Sequence, residues 1–398
     1  MLRPAATPPR LLTLILLSGL AVVSLNMFVP SLAHIAADFG ADYSLVNLSI
    51  AGYAAVTAVL QLIMGPLSDR FGRRPIILAA VFIFALASLG CVLATDVHTF
   101  LFFRMMQAAI VTGHAVSQAV IRDSAGAQKA ASLLGYMAMA WAVAPMLGPL
   151  FGGVLDEFFG WRANFWAFLA FGLAAFALAW TDLGETNQHR SETFTKQFQT
   201  YPELFRSRRY WGYALCTAFS VGTFYAFLGG APLTAVLLFG LSPATLGMFM
   251  GTITAGFMVG SYLSGRFAGR HAPTAMMVVG RAVGTLGLLA GLALSLAGVV
   301  HVAVLFGFCV FAGLGNGLTV PSSNAGLMSV RPRLAGSASG LSGALTVALG
   351  AVTSAITGAI VTADNATYAL LAMMSLSSAL GLGAAVVTHR LERAADPA

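Results

Sequence analysis

The chain carries very little charge. Charged residues make up only 9% of its 398 residues, whereas hydrophobic residues make up 58%. Because a soluble domain has roughly 25% charged residues, this composition excludes an ordinary water-soluble fold and predicts a protein that buries its surface in lipid. Only three cysteines are present, all inside apolar runs and without a C-x-x-C pair, which argues against a disulfide or metal framework.

Other absences narrow the class further. No nucleotide-binding loop of the Gly-x4-Gly-Lys type occurs, so ATP is not expected to drive the protein, and we expect no cofactor and no metal. The formal net charge of +7 is scattered in short clusters between apolar runs. This distribution favours membrane orientation over nucleic-acid binding.

What the sequence has in abundance is long apolar runs. A spanning helix needs about 20 apolar residues, and such runs predict twelve spans, numbered 1 to 12 in chain order: 11–34, 45–64, 76–95, 98–120, 130–154, 162–181, 210–238, 243–264, 274–299, 301–322, 335–362 and 365–388. We therefore expect an all-α integral membrane protein.

The charges between these runs predict the orientation. With the N-terminus in the cytoplasm, eighteen of the twenty-one lysines and arginines fall in cytoplasmic segments, whereas the outer loops hold one arginine and six acids. Lysine and arginine stay on the cytoplasmic side during insertion. The alternation therefore supports twelve spans with both termini in the cytoplasm.

A polar stretch near the middle predicts the domain organisation. It separates an N-terminal six-helix bundle, 1–181, from a C-terminal six-helix bundle, 210–398, with 182–209 as a cytoplasmic linker. Two related bundles with a central site between them are the layout of a secondary transporter. Residues 265–270 are a weak echo of the motif described next.

The connection between spans 2 and 3 carries the strongest motif. Four charges occur in eleven residues, in the order Gly65-x3-Asp69-Arg70-x-Gly72-Arg73-Arg74. We expect Gly65 to allow close helix approach and Asp69 to lie at the start of span 3. Arg73 should reach a carboxylate on a neighbouring helix, and Asp123 at the end of span 4 has the matching depth. The alternative interpretation is a plain solvated basic loop.

Span 5 contains a run of small residues with a proline, Gly135-x8-Ala144-x3-Gly148-Pro149-x2-Gly152-Gly153. Glycines on one helical face let two helices approach backbone to backbone. Pro149 removes a backbone donor and permits a kink. Ordinary packing of small residues is the alternative.

Polar residues inside spans 1 and 4 are the candidate coupling site. Arg104 lies five or six residues inside span 4, about 8 Å below the outer surface, and Asn26 has nearly the same depth, so we expect a hydrogen bond between them. His114 in span 4 could carry a proton, or could be a neutral helix-packing histidine. Arg281 in span 9 is expected to snorkel to the cytoplasm in a structural role.

A substrate cavity needs aromatic and small polar groups near the midplane. The candidate substrate-binding residues are Tyr53, Gln61, Gln107, Trp141, Phe224, Tyr225 and Asn324. Gly340-Leu341-Ser342-Gly343 fits the GxSG pattern of intramembrane serine proteases, but the only later histidine is His389 at the end of span 12. We therefore interpret Ser342 as a helix-packing residue and expect no enzyme.

The connection between spans 2 and 3 resembles the signature loop of the major facilitator superfamily. Further motifs are similar to its bicyclomycin/chloramphenicol-resistance branch of drug:proton antiporters: Asn26-Met-Phe-Val-Pro30, Arg104-x2-Gln107, Arg122-Asp123, Trp161-Arg162-Ala-Asn-Phe165, Leu183-Gly184-Glu185-Thr186 and Val330-Arg331-Pro332-x-Leu334-Ala335-Gly336. The resemblance covers nearly the whole chain. It departs from the branch at Asn26, where a membrane-embedded aspartate is usual, and at Ala144, where antiporters have glycine.

The resemblance implies a bacterial inner-membrane transporter that exports small, largely apolar drugs by proton antiport and functions as a monomer. It also implies that Asp69, Arg70, Arg73 and Asp123 latch the two bundles in one state, and that span 5 acts as a hinge and a seal against proton leak. Asparagine cannot carry a proton, and none of the fourteen acids lies deep within a predicted span. A facilitator or metabolite exporter without strict proton coupling is therefore the alternative.

Overall fold

A computed structural model describes residues 9–124, 127–187, 202–267, 270–331 and 334–395. Within 122–146 several side chains, including that of Trp141, lie outside this description. The described backbone is almost entirely helical, since a backbone in lipid must satisfy its polar groups within its own segment. The helices are α1 Leu11–Asn26, α2 Leu32–Phe39, α3 Tyr43–Phe71, α4 Arg73–Leu93, α5 Val97–Met106, α6 Val111–Ser124, α7 Ala127–Phe159, α8 Arg162–Asp182, α9 Arg208–Phe239, α10 Pro243–Phe267, α11 Pro273–Leu296, α12 Val302–Val330, α13 Ala335–Ile360 and α14 Ala369–Ala395.

Ten helices in the described part of the chain are long and apolar enough to cross a membrane, with α1 and α2 counted as one. The protein is therefore a multi-pass membrane protein, as the composition predicted. The two other predicted spans, 98–120 and 130–154, fall on α5 with α6 and on α7. The count of twelve spans stays a prediction.

Two of the predicted spans are interrupted. A 3-10 turn, Val29–Ser31, separates α1 from α2, where Pro30 supplies no backbone donor. A second 3-10 segment, Gln107–Ile110, joins α5 to α6. Short 3-10 segments inside a helix often mark functional positions, and each break here lies beside a polar residue that the sequence singled out, Asn26 and Arg104.

The helix ends define two faces of the molecule. On the face that we call the terminal face, the start of α1 meets the end of α8, because the backbone N–H of Arg10 donates to Asp182 at 2.8 Å. In the second half, Arg209 at the start of α9 pairs with Glu392 near the end of α14 at 2.6 Å. The other end of the helices is the opposite face.

Aromatic rings fill the first half near the opposite face. Phe100, Trp161 and Phe165 meet edge to face with ring centroids 5.3–5.7 Å apart. This arrangement is favoured by the charge distribution of aromatic rings and adds about 0.5–1.5 kcal/mol per pair beyond area burial. The packed cluster fixes α5 against α8 and so positions Arg104, one turn further along α5.

Candidate functional site

Arg104 is a fully buried cation in the first half. Its side chain has 0% exposure, and its guanidinium donates to the Ser24 carbonyl at 2.6 Å, to the Ser24 hydroxyl at 3.1 Å and to Gln107 Oε1 at 2.6 Å. No carboxylate pairs with it in the described part of the chain. A buried charge is costly unless it is paired or hydrogen-bonded, so the neutral acceptors must compensate Arg104.

Two further contacts surround this guanidinium. Gln107 is itself fixed, because its Nε2 donates to the Ser88 hydroxyl at 2.7 Å. The guanidinium lies over the rings of Phe28 and Tyr53, each at 4.3 Å from the ring centroid. The site thus joins α1, α3, α4 and α5 around one positive charge. Ser24 and Ser88 carried no signal in the sequence.

The predicted hydrogen bond between Arg104 and Asn26 was wrong. Asn26 instead donates from Nδ2 to the carbonyl of Val22, one turn back in α1, at 2.8 Å. Its Oδ1 is buried and has no hydrogen-bond partner in the described structure. The depth was estimated well, since Arg104 meets Ser24 only two residues earlier. Ser24 and Asn26 are two residues apart in α1 and so point about 200° apart around the helix, which leaves Asn26 facing Gly148 of α7 while Ser24 faces Arg104.

Arg281 is a second buried cation, in the other half. The expectation that it snorkels was wrong, because its side chain has 0% exposure. Nε donates to Thr319 Oγ1 at 3.1 Å, and Nη2 donates to Asn316 Oδ1 at 2.6 Å. Gly315 and Gly381 lie beside the side chain. These glycines leave room for the guanidinium between α11, α12 and α14, and sequence spacing could not show that.

The motif loop brings its predicted residues together on the terminal face. Arg73 is buried, forms an ion pair with Asp69, and contacts Asp123 from Nε at 3.1 Å. Asp69 lies in the last turn of α3, not at the start of span 3 as expected. The expected close helix approach at Gly65 was also wrong, because no described atom lies within 4 Å of the place where a side chain would start.

Glu185, which follows α8, completes the loop in a way that the sequence did not show. Its carboxylate accepts from the backbone N–H of Arg73 at 2.9 Å and of Arg74 at 3.4 Å, at the start of α4. An anion at a helix N-terminus satisfies free donors and complements the helix dipole. Gly72 has φ +102°, and a side chain at this position would overlap the Glu185 carboxylate.

The other arginines of the motif have separate surroundings. Arg74 donates from Nη2 to the carbonyl of Trp180 at 2.8 Å and lies 5.7 Å from that ring's centroid. Arg70 is exposed and lies 5.4 Å from the Phe71 ring. Of the three arginines, Arg73 therefore occupies the centre of the charge network.

The glycines of span 5 contact two different partners. Gly148 and Gly152 face Met27, and a side chain at 152 would overlap the Met27 carbonyl. Gly153 faces the other half of the chain, and a side chain there would overlap the carbonyl of Pro243 at the start of α10. Pro149 is buried within α7, which continues through it. Helix α7 thus packs closely on both halves.

Further contacts join the halves near the opposite face. Tyr43 at the start of α3 donates to the Gly229 carbonyl at 3.0 Å, and Asn47, one turn later, donates to the Ser354 carbonyl at 2.8 Å. On the other side of the molecule the backbone N–H of Ala244 donates to Glu157 at 3.2 Å. Together with the glycine contacts of α7, these bonds close the opposite face.

Asp156, one of the six acids that the predicted spans assign to outer loops, lies instead in the last turn of α7 with its side chain only 1% exposed. Its partner is His34 on α2, with Nδ1 at 3.1 Å from the carboxylate. The sequence-based assignment ended span 5 at residue 154, before the adjacent acids Asp156 and Glu157, whereas the helix continues to Phe159. His114 is half-buried and lies 3.0 Å from Gln118 Nε2.

The candidate substrate-binding residues fall into separate environments. Tyr53 and Gln107 belong to the surroundings of Arg104, and Tyr225 is buried against Phe224, with ring centroids 6.4 Å apart. Gln61 lies near Gly343 of α13. Asn324 is exposed, three-quarters of the way along α12, and the side chain of Trp141 lies outside the described part. Their roles in binding stay predictions.

The described helices, with one fully buried arginine in each half of the chain, define a polytopic membrane protein. Residues 14–355 match the family model described as Major Facilitator Superfamily. The chain belongs to this family, and the resemblance drawn from its motifs is confirmed. Its relatives are consistent with the bicyclomycin/chloramphenicol-resistance branch.

Several curated relatives are similar to this chain. The uncharacterized MFS-type transporter YdgK of Bacillus subtilis is 29% identical over 86% of this chain and 87% of that protein. The chloramphenicol resistance protein of Pseudomonas aeruginosa is 32% identical over 66% of this chain and 62% of that protein. The bicyclomycin resistance protein homolog of Haemophilus influenzae is 26% identical over 86% and 87%.

Solved structures share the fold at low identity. The peptide transporter POT in complex with alafosfalin has a TM-score of 0.80 at 14% identity, over 97% of both chains. A bacterial homolog of the lysosomal transporter Spinster, in an inward-facing and occupied conformation, has a TM-score of 0.73 at 16% identity, over 96% of both chains. These likenesses concern the fold alone.

Proposed function

We propose that this protein exports small, largely apolar drug-like compounds from the bacterial cytoplasm by proton antiport across the inner membrane. The observation that carries the proposal is the family membership together with relatives named for chloramphenicol, bicyclomycin and, in MdfA of Edwardsiella piscicida, multidrug transport. The buried network around Arg104 supports a membrane interior built for more than packing, because a buried charge without such a role would be costly.

The mechanism that we propose is rocking of the N-terminal bundle, 1–181, against the C-terminal bundle, 210–398. The contacts of Tyr43, Asn47 and Gly153 close the opposite face here. With both termini in the cytoplasm, as the basic residues predict, this state opens inward. The loop network of Asp69, Arg73 and Asp123 would then act on the terminal face, holding it shut when the other face opens.

Proton coupling needs a titratable group in the interior of the protein. Asn26 replaces the usual acid and cannot take up a proton. His114 in α6 is the titratable group in the interior of the first half that we propose for this step, with Gln118 as its neighbour at 3.0 Å. Arg104 would set the local field through its charge.

Drug uptake into everted membrane vesicles tests both the export and its coupling to protons. We expect chloramphenicol uptake to follow an imposed pH gradient and to stop when an ionophore collapses it, with vesicles lacking the protein as the control. Uptake that continues unchanged without the gradient would instead support a facilitator, which the Asn26 substitution favours. Absence of uptake for every drug in a resistance panel would refute export altogether.

The variant Asn26→Asp separates these outcomes further. Aspartate has nearly the same size, so the variant adds only a titratable group at the break after α1. Stronger resistance in a susceptible strain would show that the missing carboxylate limits coupling. Unchanged resistance would place the proton on another residue, and His114→Gln should then abolish gradient-driven uptake while leaving drug binding intact.

A further inference from the structure

The acidic residues of this protein stay away from the middle of the helices. Two of the fourteen, Glu192 and Asp396, lie outside the described part of the chain. Each of the other twelve lies in a connection or within about one turn of a helix end. Even Asp156, whose side chain is buried, is only three residues from the end of α7. The described helix interiors therefore offer no carboxylate to a positively charged compound.

Positive charge, in contrast, lies deep in both halves. Arg104 is the eighth residue of α5, about 10 Å from the helix start at 1.5 Å per residue, and Arg281 is the ninth residue of α11, about 12 Å in. Both are fully buried and are held by neutral oxygens of serine, threonine, asparagine and glutamine side chains or backbone. The described interior thus carries two positive charges that no acid neutralises.

Two aromatic rings of the Arg104 site, Phe28 and Tyr53, are already covered by a cation. Cations bind over the faces of aromatic rings within about 6 Å of the centroid. The guanidinium of Arg104 already covers the faces of Phe28 and Tyr53 that point toward it, at 4.3 Å each. A lipophilic cation would have to displace an internal arginine to use them.

N–H groups of the two buried arginines without a hydrogen-bond partner also favour negative over positive compounds. Nε of Arg104 and Nη1 of Arg281 have no hydrogen-bond partner in the described structure, although both atoms are buried. Such groups attract acceptors, and they repel cations through a medium of low dielectric constant. They need no direct contact with a compound to act on it, because the field of a buried charge is poorly screened.

From this charge distribution we infer that the translocation path accepts neutral or anionic compounds and rejects lipophilic cations. The inference rests on the proposed export function and names its substrate class. Ethidium-like and phosphonium-like cations are excluded whatever their hydrophobicity.

Two ions of the same shape and opposite charge test this directly. Tetraphenylborate and tetraphenylphosphonium are measured for equilibrium binding to the purified full-length protein in liposomes, after subtraction of binding to protein-free liposomes, with chloramphenicol as the neutral reference. We expect tetraphenylborate to bind at least about tenfold more tightly than tetraphenylphosphonium, since one unpaired charge about 10 Å away is worth roughly a factor of ten.

The isosteric variant Asn26→Asp adds a negative charge and should weaken the preference for tetraphenylborate over tetraphenylphosphonium. It should raise the affinity for tetraphenylphosphonium about tenfold relative to the unmodified protein. Equal or tighter binding of tetraphenylphosphonium by the unmodified protein, with drug uptake intact, would overturn this inference alone. Failure to bind either ion or chloramphenicol would overturn the proposed export function as well.

Discussion

Replacing Gly72 by alanine should destabilise the protein far more than replacing Gly65, although both glycines belong to the same motif. Gly72 has φ +102° and ψ 154°, a region that only glycine occupies readily. Its missing side chain also leaves space for the Glu185 carboxylate at the start of α4. Gly65 lies inside α3 with no described atom within 4 Å of a new methyl group.

The magnitude follows from two contributions. Strained backbone at Gly72 costs about 1–3 kcal/mol, and displacing Glu185 weakens hydrogen bonds to two backbone donors, each worth about 1 kcal/mol at a half-exposed site. Gly72→Ala should therefore lose about 3 kcal/mol in total. Gly65→Ala should gain up to about 1 kcal/mol, because alanine favours the helix.

Thermal unfolding of the purified protein in detergent measures both variants. At about 2–4 °C per kcal/mol for a unit of 150–250 residues, we expect Gly72→Ala to lower Tm by roughly 6–12 °C and Gly65→Ala to leave it equal or slightly higher. Equal losses in both variants would refute the reasoning, because the structure distinguishes the two sites by their surroundings alone.

A double-mutant cycle isolates the contact with Glu185. In a Glu185→Ala background the colliding carboxylate is gone, so Gly72→Ala should cost less than in the unmodified protein, with a coupling of about 1–2 kcal/mol. Strictly additive losses would show that backbone strain alone accounts for Gly72. Glu185→Gln keeps the size of the side chain and removes its charge. In that background the cost of Gly72→Ala should lie between its cost in the unmodified protein and its cost in the Glu185→Ala background.

Three further predictions concern other parts of the molecule. Gly153→Leu should open the opposite face, since its side chain would overlap the Pro243 carbonyl; spin labels at the facing ends of α7 and α10 should separate, and an unchanged distance would contradict this. Arg104→Lys should lose at least about tenfold in drug resistance at normal expression, because an ammonium cannot reproduce the planar fork; full resistance would show that charge alone suffices. Asp96 accepts hydrogen bonds from the Thr99 hydroxyl and from backbone N–H groups, which lower its pKa below its ordinary value. The carboxylate should therefore stabilise the start of α5 fully above that ordinary value, and this stabilisation should be lost as the pH falls through the lowered pKa. Amide exchange at the start of α5 measures the loss, which should be absent in Asp96→Asn.

The sequence by itself was enough for features that depend on neighbours along the chain. The apolar runs predicted the helices because lipid leaves the backbone no other partner. The motif predicted that Arg73 reaches a carboxylate on a neighbouring helix. Its contact with Asp123, fifty residues further on, followed from matched depth at the helix ends. The same reasoning fixed the depth of Arg104 but not its partner.

Only the tertiary structure decided which side chains meet across helices. Arg104 bonds Ser24, eighty residues away, and not Asn26, because the two residues point in nearly opposite directions from α1 and the rotation of that helix turns Ser24 toward Arg104. Arg281 is buried and not snorkelled, because glycines on neighbouring helices leave it space. Glu185 reaches the start of α4 from the far end of α8. Such contacts depend on how each helix is rotated and where it bends, and neither hydrophobicity nor spacing along one helix carries that information.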